Sequence, residues 1–331
     1  MPPRTAGAPR LIEATGERIV PWAQDAQVIY EHFHRYLWAQ PLVAGRRVLD
    51  LGSGEGFGAS LLADTARAVT GIDVDERTVE HSRANYVAPG LEFRVASATD
   101  LSELADDAFD AVVAFEMIEH VGDQQRVLAE AARVLAPGGL LIMSTPERRT
   151  YSDERDFVNP YHERELTQEE FTALLRTHFP TLSMFAQRAV AGSRIEALTE
   201  VAPGHLAVRI ERAEGEWRPA EAPEPLYLIA VASDAALPEL PAESSLLDYG
   251  LELIAEREAT FRAELIAKHE ELVAAHARAQ RAEDEARRVQ ESVAWRLLER
   301  IRRTVYGVIG EDSAVARGVR RAMQRLFRAI G

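Results

Sequence analysis

The chain has 331 residues, 47% of them hydrophobic, which is enough for two domains or for one domain with extensions. Its formal net charge of −15 disfavours non-specific binding to the phosphate backbones of nucleic acids. It has no cysteine, so disulfides, zinc–thiolate sites and thiol catalysis are excluded. No stretch resembles a secretory signal or a transmembrane helix, and we therefore expect a cytoplasmic enzyme.

The first elements are a flexible lead and a helix. Residues 1–22 have the composition of a flexible lead, and the pattern then predicts a helix from Ala23 to Gln40, ended by Pro41. Arg35 lies in this helix between His34 and Tyr36. The cluster indicates either a half-buried helix face or a lid over a ligand, with Arg35 pairing with the ligand's carboxylate.

The stretch from Val48 to Gly58 combines an apolar strand, a carboxylate and a glycine-rich turn. Val48–Leu51 is typical of a buried parallel strand, and a helical pattern runs from Ala59 to Ala66. Such a strand–turn–helix unit offers backbone N–H groups and a helix N-terminus to a ligand. The turn is marked by Gly52, Gly54 and Gly56, where the backbone bends sharply and a ligand can approach closely.

Two cofactor families compete for this turn. Gly54-x-Gly56-x-x-Ala59 fits the dinucleotide fingerprint. However, Asp50 lies two residues before the first glycine, where a carboxylate would repel a pyrophosphate but suit an ammonium group. The arrangement resembles the first motif of class I S-adenosylmethionine-dependent methyltransferases, and this resemblance implies S-adenosyl-L-methionine as the cofactor. No Gly-x-x-x-x-Gly-Lys-Ser/Thr is present, which excludes a P-loop.

Further cofactor contacts are predicted at the ends of the next strands. Asp73 ends a predicted strand, Ala68–Asp73, about 20 residues past the glycines, where an acid can accept hydrogen bonds from ribose hydroxyls. Asp75 is better placed to cap the following helix. The resemblance assigns the adenine edge to the segment after strand three, Leu91–Ala96. The full predicted cofactor set is Arg35, Asp50, Gly52, Ser53, Gly54, Asp73, Val74, Ser97, Ala98, Thr99 and Phe115.

Alternating elements predict an α/β fold for residues 23–235. The remaining predicted strands are Phe109–Phe115, Leu140–Ser144, Leu182–Val190 and Leu226–Ala232; the predicted helices are Val127–Leu135, before Pro137-Gly138-Gly139, and Gln168–His178. Thr167 and Glu170 fit a capping box. The pattern predicts a doubly wound, parallel, seven-stranded sheet, Rossmann-like as in the methyltransferase family, with an insertion at residues 191–224.

Acids and a histidine follow the fourth strand. Glu116, Glu119 and His120 have i, i+3, i+4 spacing, so in a helix they would share one face beside the cofactor. In this interpretation Glu116 and His120 are catalytic, with His120 as general base. The alternative is a solvated helix start, where acids interact favourably with the helix dipole.

A later segment adds a metal hypothesis. Asn159 to Thr167, which follows Ser144-Thr145-Pro146, resembles segments of ubiquinone-pathway O-methyltransferases and of small-RNA 2′-O-methyltransferases. The second resemblance implies a divalent metal ion with Glu116, Glu119, His120 and His162 as its ligands. Two carboxylates and two imidazoles suit Mg, Mn, Fe or Zn. His162 is equally compatible with a plain core or loop histidine.

The C-terminal third has a different character. Residues 248–294 show apolar residues at alternating spacings of three and four, which predicts a coiled coil and a homo-oligomer; a solvated single helix is the alternative. Residues 295–331 carry a net charge of +6 and apolar stripes. Such a basic amphipathic tail is typical of contact with a membrane surface or an anionic partner. Nucleic acid and a second protomer are the rival occupants.

A diffuse resemblance extends the functional hypothesis. Thr15-Gly16-Glu17-Arg18, the segment around Glu31-His32 and the coil with its basic tail resemble methyltransferases of bacterial surface-polysaccharide biosynthesis. This implies a sugar hydroxyl of a glycan or small molecule as acceptor, and an enzyme at the inner membrane face or against a glycan-assembly partner. The alternatives are a metal-dependent RNA 2′-O-methyltransferase and a non-catalytic coiled-coil scaffold with a vestigial domain.

Overall fold

A computed structural model describes residues 26–190, 210–213, 216–219, 224–248, 250–309 and 313–330. It divides the chain into two compact units, Met1–Gly250 and Leu251–Gly331. The predicted lead at residues 1–22 lies outside the described residues, as does most of the predicted insertion at residues 191–224.

The first unit is built on a seven-stranded sheet. In chain order its first six strands are β1 (Arg47–Leu51), β2 (Ala68–Asp73), β3 (Leu91–Val95), β4 (Phe109–Phe115), β5 (Leu135–Pro146) and β6 (Thr181–Gln187). Within the predicted insertion, β7 (Ile210–Ala213) and β8 (Glu216–Pro219) form a separate antiparallel hairpin. The last strand of the sheet is β9 (Tyr227–Ser233).

The strand order is β3-β2-β1-β4-β5-β9-β6. Strands β1 to β5 pair in parallel, which confirms the predicted doubly wound arrangement over this part of the sheet. The prediction of a wholly parallel sheet is wrong at β9, which pairs antiparallel with both β5 and β6. Antiparallel neighbours need no crossover helix, so β9 can insert between them directly. The sheet is therefore mixed.

Five helices flank the sheet: α1 (Ala26–Val43), α2 (Phe57–Leu62), α3 (Glu76–Asn85), α4 (Gln124–Val134) and α5 (Gln168–Leu175). Apolar side chains of α4 and α5 pack on one face, and those of α1, α2 and α3 on the other. Both faces are therefore covered, as a mainly parallel sheet requires. The predicted capping box of Thr167 and Glu170 is present at α5, and Asp75 caps α3.

Three predicted C-terminal helix ends are wrong, and one of them is that of α5, which ends at Leu175 instead of His178. Helix α1 continues through Pro41 to Val43, because a proline in the last turn removes only one hydrogen bond while Leu42 and Val43 become buried. Helix α2 ends at Leu62 instead of Ala66, and the next residues form a turn in which the Thr65 hydroxyl donates to the Gln40 carbonyl at 3.0 Å.

Strand β5 is longer than predicted. It begins at Leu135, and the predicted turn at residues 137–139 is an irregularity within it. The register shifts there, since Phe109 pairs with Leu135 while Ala111 pairs with Leu140. Gly138 has a φ of +75°, which glycine adopts without strain and which accommodates the extra residues as a bulge.

The second unit consists of three helices, α6 (Glu252–Glu291), α7 (Val293–Ile309) and α8 (Ala314–Ile330). Helix α6 covers the predicted coiled coil at residues 248–294, and every side chain from 258 to 289 is exposed. Its pairing with a second copy stays a prediction. Among the described residues, no helix combines the length and the apolar character needed to cross a bilayer.

Candidate active site

The predicted glycine turn joins β1 to α2 at the carboxyl end of the sheet. The Gly52 and Ser53 amides donate to the Ile72 carbonyl at 2.9 and 2.8 Å. Gly52, Gly54 and Gly56 have φ values of 78°, 54° and 100°. A Cβ on Gly52 would lie 2.8 Å from the Met117 Cβ. These positive φ values, and the crowding at Gly52, favour glycine at the three positions.

Asp73 is held by backbone amides at the end of β2. Its Oδ2 accepts from the Gly54 amide at 3.0 Å, and its Oδ1 accepts from the Asp75 amide at 2.9 Å. A carboxylate has about four lone-pair sites, so further acceptor capacity remains for ribose hydroxyls. Val74, next along the chain, is 74% exposed. The ribose role of Asp73 stays a prediction that this geometry accommodates.

Asp50 lies beneath the turn without a cationic partner among its hydrogen bonds. It is fully buried, and the Tyr36 hydroxyl donates to its Oδ1 at 3.3 Å. Burial, with a contribution from the charge of Asp73, raises the pKa of Asp50 to about 7, although the Tyr36 hydrogen bond opposes this shift. Phe115, also predicted to contact the cofactor, is buried with its ring 5.0 Å from that of Tyr36.

The predicted adenine segment forms an ordered turn beyond β3. The Ser97 and Thr99 hydroxyl oxygens are 2.8 Å apart, and the Thr99 amide donates to the Ser97 Oγ at 3.2 Å. The Arg126 Nε donates to the Thr99 carbonyl at 3.1 Å, and Ala98 packs against the core. These contacts fix the segment but leave its role a prediction.

The predicted helical face after β4 does not form. Glu116 has a left-handed φ of 49°, and only a 3₁₀ turn, Ile118–His120, follows it. The Glu116 amide donates to the Ser144 Oγ at 3.1 Å, and the Ser144 hydroxyl donates to the Glu116 Oε1 at 2.6 Å. These two bonds to β5 hold Glu116 apart from the 3₁₀ turn, so Glu116, Glu119 and His120 do not share one helix face.

Arg35 of α1 pairs with Glu116. Its Nη1 lies 2.8 Å from the Glu116 Oε1, its side chain is fully buried, and its guanidinium carbon lies 4.7 Å from the centre of the Tyr227 ring. The contact with Glu116 is an ion pair without hydrogen-bond geometry, because no guanidinium nitrogen has a hydrogen-bond partner among the described residues. Burial raises the pKa of Glu116, although the Arg35 charge opposes this shift.

Glu119, in the 3₁₀ turn, is buried. Burial raises its pKa well above the ordinary range, and the charge of Glu116 adds to the effect. The Thr145 hydroxyl donates to its Oε2 at 3.3 Å. The Glu119 carbonyl accepts from the amides of Glu163 and Arg164 at 2.8 and 3.1 Å, which joins the 3₁₀ turn to the later segment.

The hydrogen bonds of the two histidine rings determine their tautomers. The His120 Nδ1 lies 3.0 Å from the Tyr161 carbonyl oxygen, which can only accept, so Nδ1 carries the proton and Nε2 keeps its lone pair. The Asn159 Oδ1 accepts from the Tyr161 amide at 3.1 Å, which orients the Asn159 amino group toward the His162 Nε2 at 2.9 Å. The His162 Nδ1 therefore donates to Glu165 at 2.6 Å.

The predicted metal ligands come together only in part. One ligand atom each from Glu119, His120 and His162 lies within 4.8 Å of the others, while Glu116 is paired with Arg35. A metal needs a ring lone pair, and the lone pair of His162 already accepts from Asn159. Burial also lowers the pKa of His162. As arranged, these residues do not fit the four-ligand site, and that site stays a prediction.

A buried group behind the turn was missed by the sequence interpretation. The Tyr86 hydroxyl lies 2.9 Å from both oxygens of Glu55, and the His81 Nε2 lies 3.3 Å from its Oε2. Glu55 is buried and also accepts from the Phe57 amide at 3.2 Å. Glu55 stands between glycines, where its sequence context suggests exposure, and its partners are 26 and 31 residues away. No local pattern identifies such a contact.

Two orphaned polar groups suit the implied cofactor. The buried Ser53 hydroxyl and the three nitrogens of Arg35 have no hydrogen-bond partner among the described residues. Arg35 would suit a carboxylate, and the glycine turn with Asp73 offers backbone and carboxylate groups to a nucleoside. The residues present therefore fit S-adenosylmethionine, which carries a carboxylate, an ammonium group and an adenosine moiety.

Comparison with known proteins finds methyltransferases. Residues 49–143 match the model of a methyltransferase domain family. The chain is 44% identical over 178 residues to a probable S-adenosylmethionine-dependent methyltransferase of Mycolicibacterium smegmatis, an alignment that covers 51% of this chain and 65% of the relative. It is 34% identical to a ubiquinone biosynthesis O-methyltransferase of Thiobacillus denitrificans, over 36% of this chain and 52% of that protein.

A solved structure is also similar. It is a methyltransferase of Thermotoga maritima described as a possible histamine N-methyltransferase, with 20% identity and a TM-score of 0.44 over 62% of this chain and 90% of that one. The chain spans less than two thirds of the length of the two curated relatives above. The domain match covers β1 to β5 with the glycine turn, and it implies S-adenosyl-L-methionine as cofactor. Residues 49–143 therefore resemble a methyltransferase domain, and the chain is similar to proteins named S-adenosylmethionine-dependent methyltransferases.

Proposed function

We propose that this protein transfers the methyl group of S-adenosylmethionine to a hydroxyl oxygen of its acceptor, with His120 as general base. The observation that carries this proposal is the hydrogen bond between the His120 Nδ1 and the Tyr161 carbonyl oxygen at 3.0 Å. It leaves the Nε2 lone pair of a half-buried imidazole ready to take a proton.

In this proposal the residues at the ends of β1, β2 and β3 hold the cofactor. Asp73 accepts from the ribose hydroxyls, the segment Ser97–Thr99 binds the adenine edge, and Asp50 interacts with the ammonium group. Arg35 pairs with the cofactor carboxylate and shares its charge with Glu116. The bound cofactor would supply a methyl group on a positively charged sulfur, and the neutral thioether that remains would be the leaving group.

The remaining work is alignment and removal of one proton. The acceptor oxygen forms a bond to the methyl carbon as the carbon–sulfur bond breaks, and the hydroxyl proton passes to the His120 Nε2. Burial raises the pKa of Glu119, which favours the protonated form of its carboxyl. Relatives named O-methyltransferases support a hydroxyl acceptor.

We propose a sugar hydroxyl of a glycan or of a small sugar precursor as the acceptor. The support is the resemblance in sequence to enzymes of surface-polysaccharide biosynthesis, together with the net charge of −15, which disfavours RNA. The hydrogen bond from Asn159 to His162 favours a base that works without a metal. A divalent ion could bind the His162 Nε2 only if the hydrogen bond from Asn159 to that nitrogen were broken.

The test is transfer of a labelled methyl group to a panel of sugar nucleotides, lipid-linked sugars and RNA, with and without EDTA. We expect a methylated sugar product and an unchanged rate in EDTA. The proposal fails if the protein binds S-adenosylmethionine but methylates no hydroxyl in the panel. Transfer to RNA that is lost in EDTA and restored by a divalent ion would establish the metal-dependent alternative.

A further inference from the structure

The last two helices carry their arginines on one side. Helices α7 (Val293–Ile309) and α8 (Ala314–Ile330) contain nine arginines and only one acidic residue, Glu299. At 100° per residue, the five arginines of α8 fall within an arc of about 140°. They are Arg317, Arg320, Arg321, Arg325 and Arg328.

The opposite arcs are apolar, and on α7 the apolar residues are open to solvent. Four of them lie at positions i, i+4, i+8 and i+15 of α7, and this spacing places them within an arc of about 80° around the helix axis. They are Val293, Leu297, Ile301 and Val308, with exposures of 75, 59, 48 and 79%. On α8, Val315 is 58% exposed. An exposed apolar stripe of this size beside a strongly basic face marks an interaction surface.

We infer that α7 and α8 bind the surface of an anionic lipid membrane, with the apolar stripe in the interface and the arginines against lipid headgroups. A helix with a large apolar arc, a basic polar face and too little apolar length to span the bilayer lies in the interface plane. The arginine charges complement the negative surface of anionic lipids, and a helix in the interface plane can contact the apolar layer with one arc and the headgroups with its basic arc.

Two other binding partners, nucleic acid and a second copy of the chain, each account for only one of the two features of this surface. Nucleic acid would neutralise the arginines but would leave the valine, leucine and isoleucine stripe of α7 in water. A second copy packed on the apolar stripe would cover it but would offer no anionic surface to the arginines, because the same two helices carry a net charge of +8. Only a surface that is both anionic and apolar satisfies the two features together.

The experiment is co-sedimentation of the full chain with vesicles of phosphatidylcholine, alone or with about 30% phosphatidylglycerol, to which basic segments are attracted. The wild type should bind the anionic vesicles and not the neutral ones, and about 0.5 M salt should weaken binding because surface charges are screened. Each arginine near an anionic surface contributes about a fivefold factor in affinity, so the triple variant Arg320→Gln, Arg321→Gln, Arg325→Gln should bind about 100-fold more weakly.

Matched variants separate charge, position and burial. Replacing the same three arginines by lysine should retain binding, and so should Arg278→Gln, Arg281→Gln, Arg287→Gln on the exposed helix α6, which removes the same charge elsewhere. Leu297→Ser with Ile301→Ser should weaken binding by about tenfold or more, since both apolar side chains would leave the interface.

Three results would overturn the inference. They are absence of binding to anionic vesicles, equal binding to neutral vesicles, and binding that the Arg→Gln triple variant leaves unchanged. A gel shift with RNA or a change of oligomeric state, in place of vesicle binding, would assign the surface to nucleic acid or to a second copy.

Discussion

Two regions of the candidate site differ in the surroundings of their carboxylates, which are Asp73 in one region and Glu116 with Glu119 in the other. At the end of β2, Asp73 is half-buried and its carboxylate accepts hydrogen bonds from the backbone amides of Gly54 and Asp75. After β4, Glu119 is buried and the Glu116 side chain is only 12% exposed, and burial raises the pKa of both carboxyls. Their contacts are Arg35, Ser144 and Thr145, from α1 and β5.

This difference indicates two functions, which are cofactor recognition and proton transfer. Backbone amides and a fixed carboxylate form a rigid recognition surface that is suited to a nucleoside. Buried acids with raised pKa values, next to a histidine whose lone pair is available, form an environment suited to moving a proton. Changes in the second region should therefore affect turnover and stability, and changes in the first should affect cofactor affinity.

The largest expected effect is at His120. Replacing it as His120→Gln removes the imidazole that accepts the hydroxyl proton, and kcat should fall by about 10²–10⁴-fold. The affinity for S-adenosylmethionine should stay within about twofold, because the base does not hold the cofactor. Methyl-transfer assays and calorimetry measure the two quantities.

The control for this change is His178→Gln, which alters an exposed histidine beyond α5 and should leave kcat unchanged. If His120→Gln retains wild-type kcat, the assignment of the general base is wrong and the contrast between the two regions loses its chemical meaning.

The next effect concerns stability. Arg35→Met leaves Glu116 buried without its cation, and loss of one partner of a buried ion pair costs about 3–5 kcal/mol of unfolding free energy. Adding Glu116→Gln should recover part of the loss, because the uncompensated carboxylate is then absent. Urea unfolding monitored by tryptophan fluorescence measures these differences.

Arg47→Met provides the comparison, because it breaks an ion pair with Asp110 whose side chains are 41% and 34% exposed. An exposed pair of this kind contributes about 1 kcal/mol or less. Equal losses for the Arg35 and Arg47 variants would show that burial does not distinguish the second region.

A pH-dependent effect of similar size is expected at Asp50. Its pKa is about 7 in the folded chain against an ordinary value of 3.8, so the folded state binds more protons between these values. Stability therefore falls as the pH rises from 4 to 7, by about 1.4 kcal/mol per pH unit, and is constant above.

The variant Asp50→Asn has no titrating carboxyl at this position, so its stability should not show the decline between pH 4 and pH 7. We follow the unfolding free energies of both proteins by urea unfolding from pH 4 to 8. The unfolding free energy of the wild type should fall relative to that of the variant up to pH 7 and should not change further above it. A difference that is independent of pH would contradict the buried, uncharged state of Asp50.

The first region was largely predictable from sequence, and the second was not. Strands β2 and β4 have the predicted bounds, and the acid–glycine turn lies where the pattern placed it, because its contacts join residues close in sequence or on adjacent strands. The pairing of Arg35 with Glu116 joins residues 81 positions apart, and no periodicity encodes it.

Local strain explains another failure. The i, i+3, i+4 spacing after β4 predicted a shared helix face, but the left-handed φ of Glu116 and its bonds to Ser144 prevent a helix there. The reversal of β9 was likewise hidden, since strand direction in a sheet depends on how the chain returns and not on the apolar pattern of the strand.

The measurement that tests the central claim most directly is calorimetric titration of the wild type and of Asp73→Ala with S-adenosylmethionine and with NAD⁺. We predict that the wild type binds S-adenosylmethionine and not NAD⁺, and that Asp73→Ala weakens this binding by about tenfold or more, as expected for lost charge-assisted hydrogen bonds. Tighter binding of NAD⁺ than of S-adenosylmethionine, or an affinity unchanged in Asp73→Ala, would contradict the account.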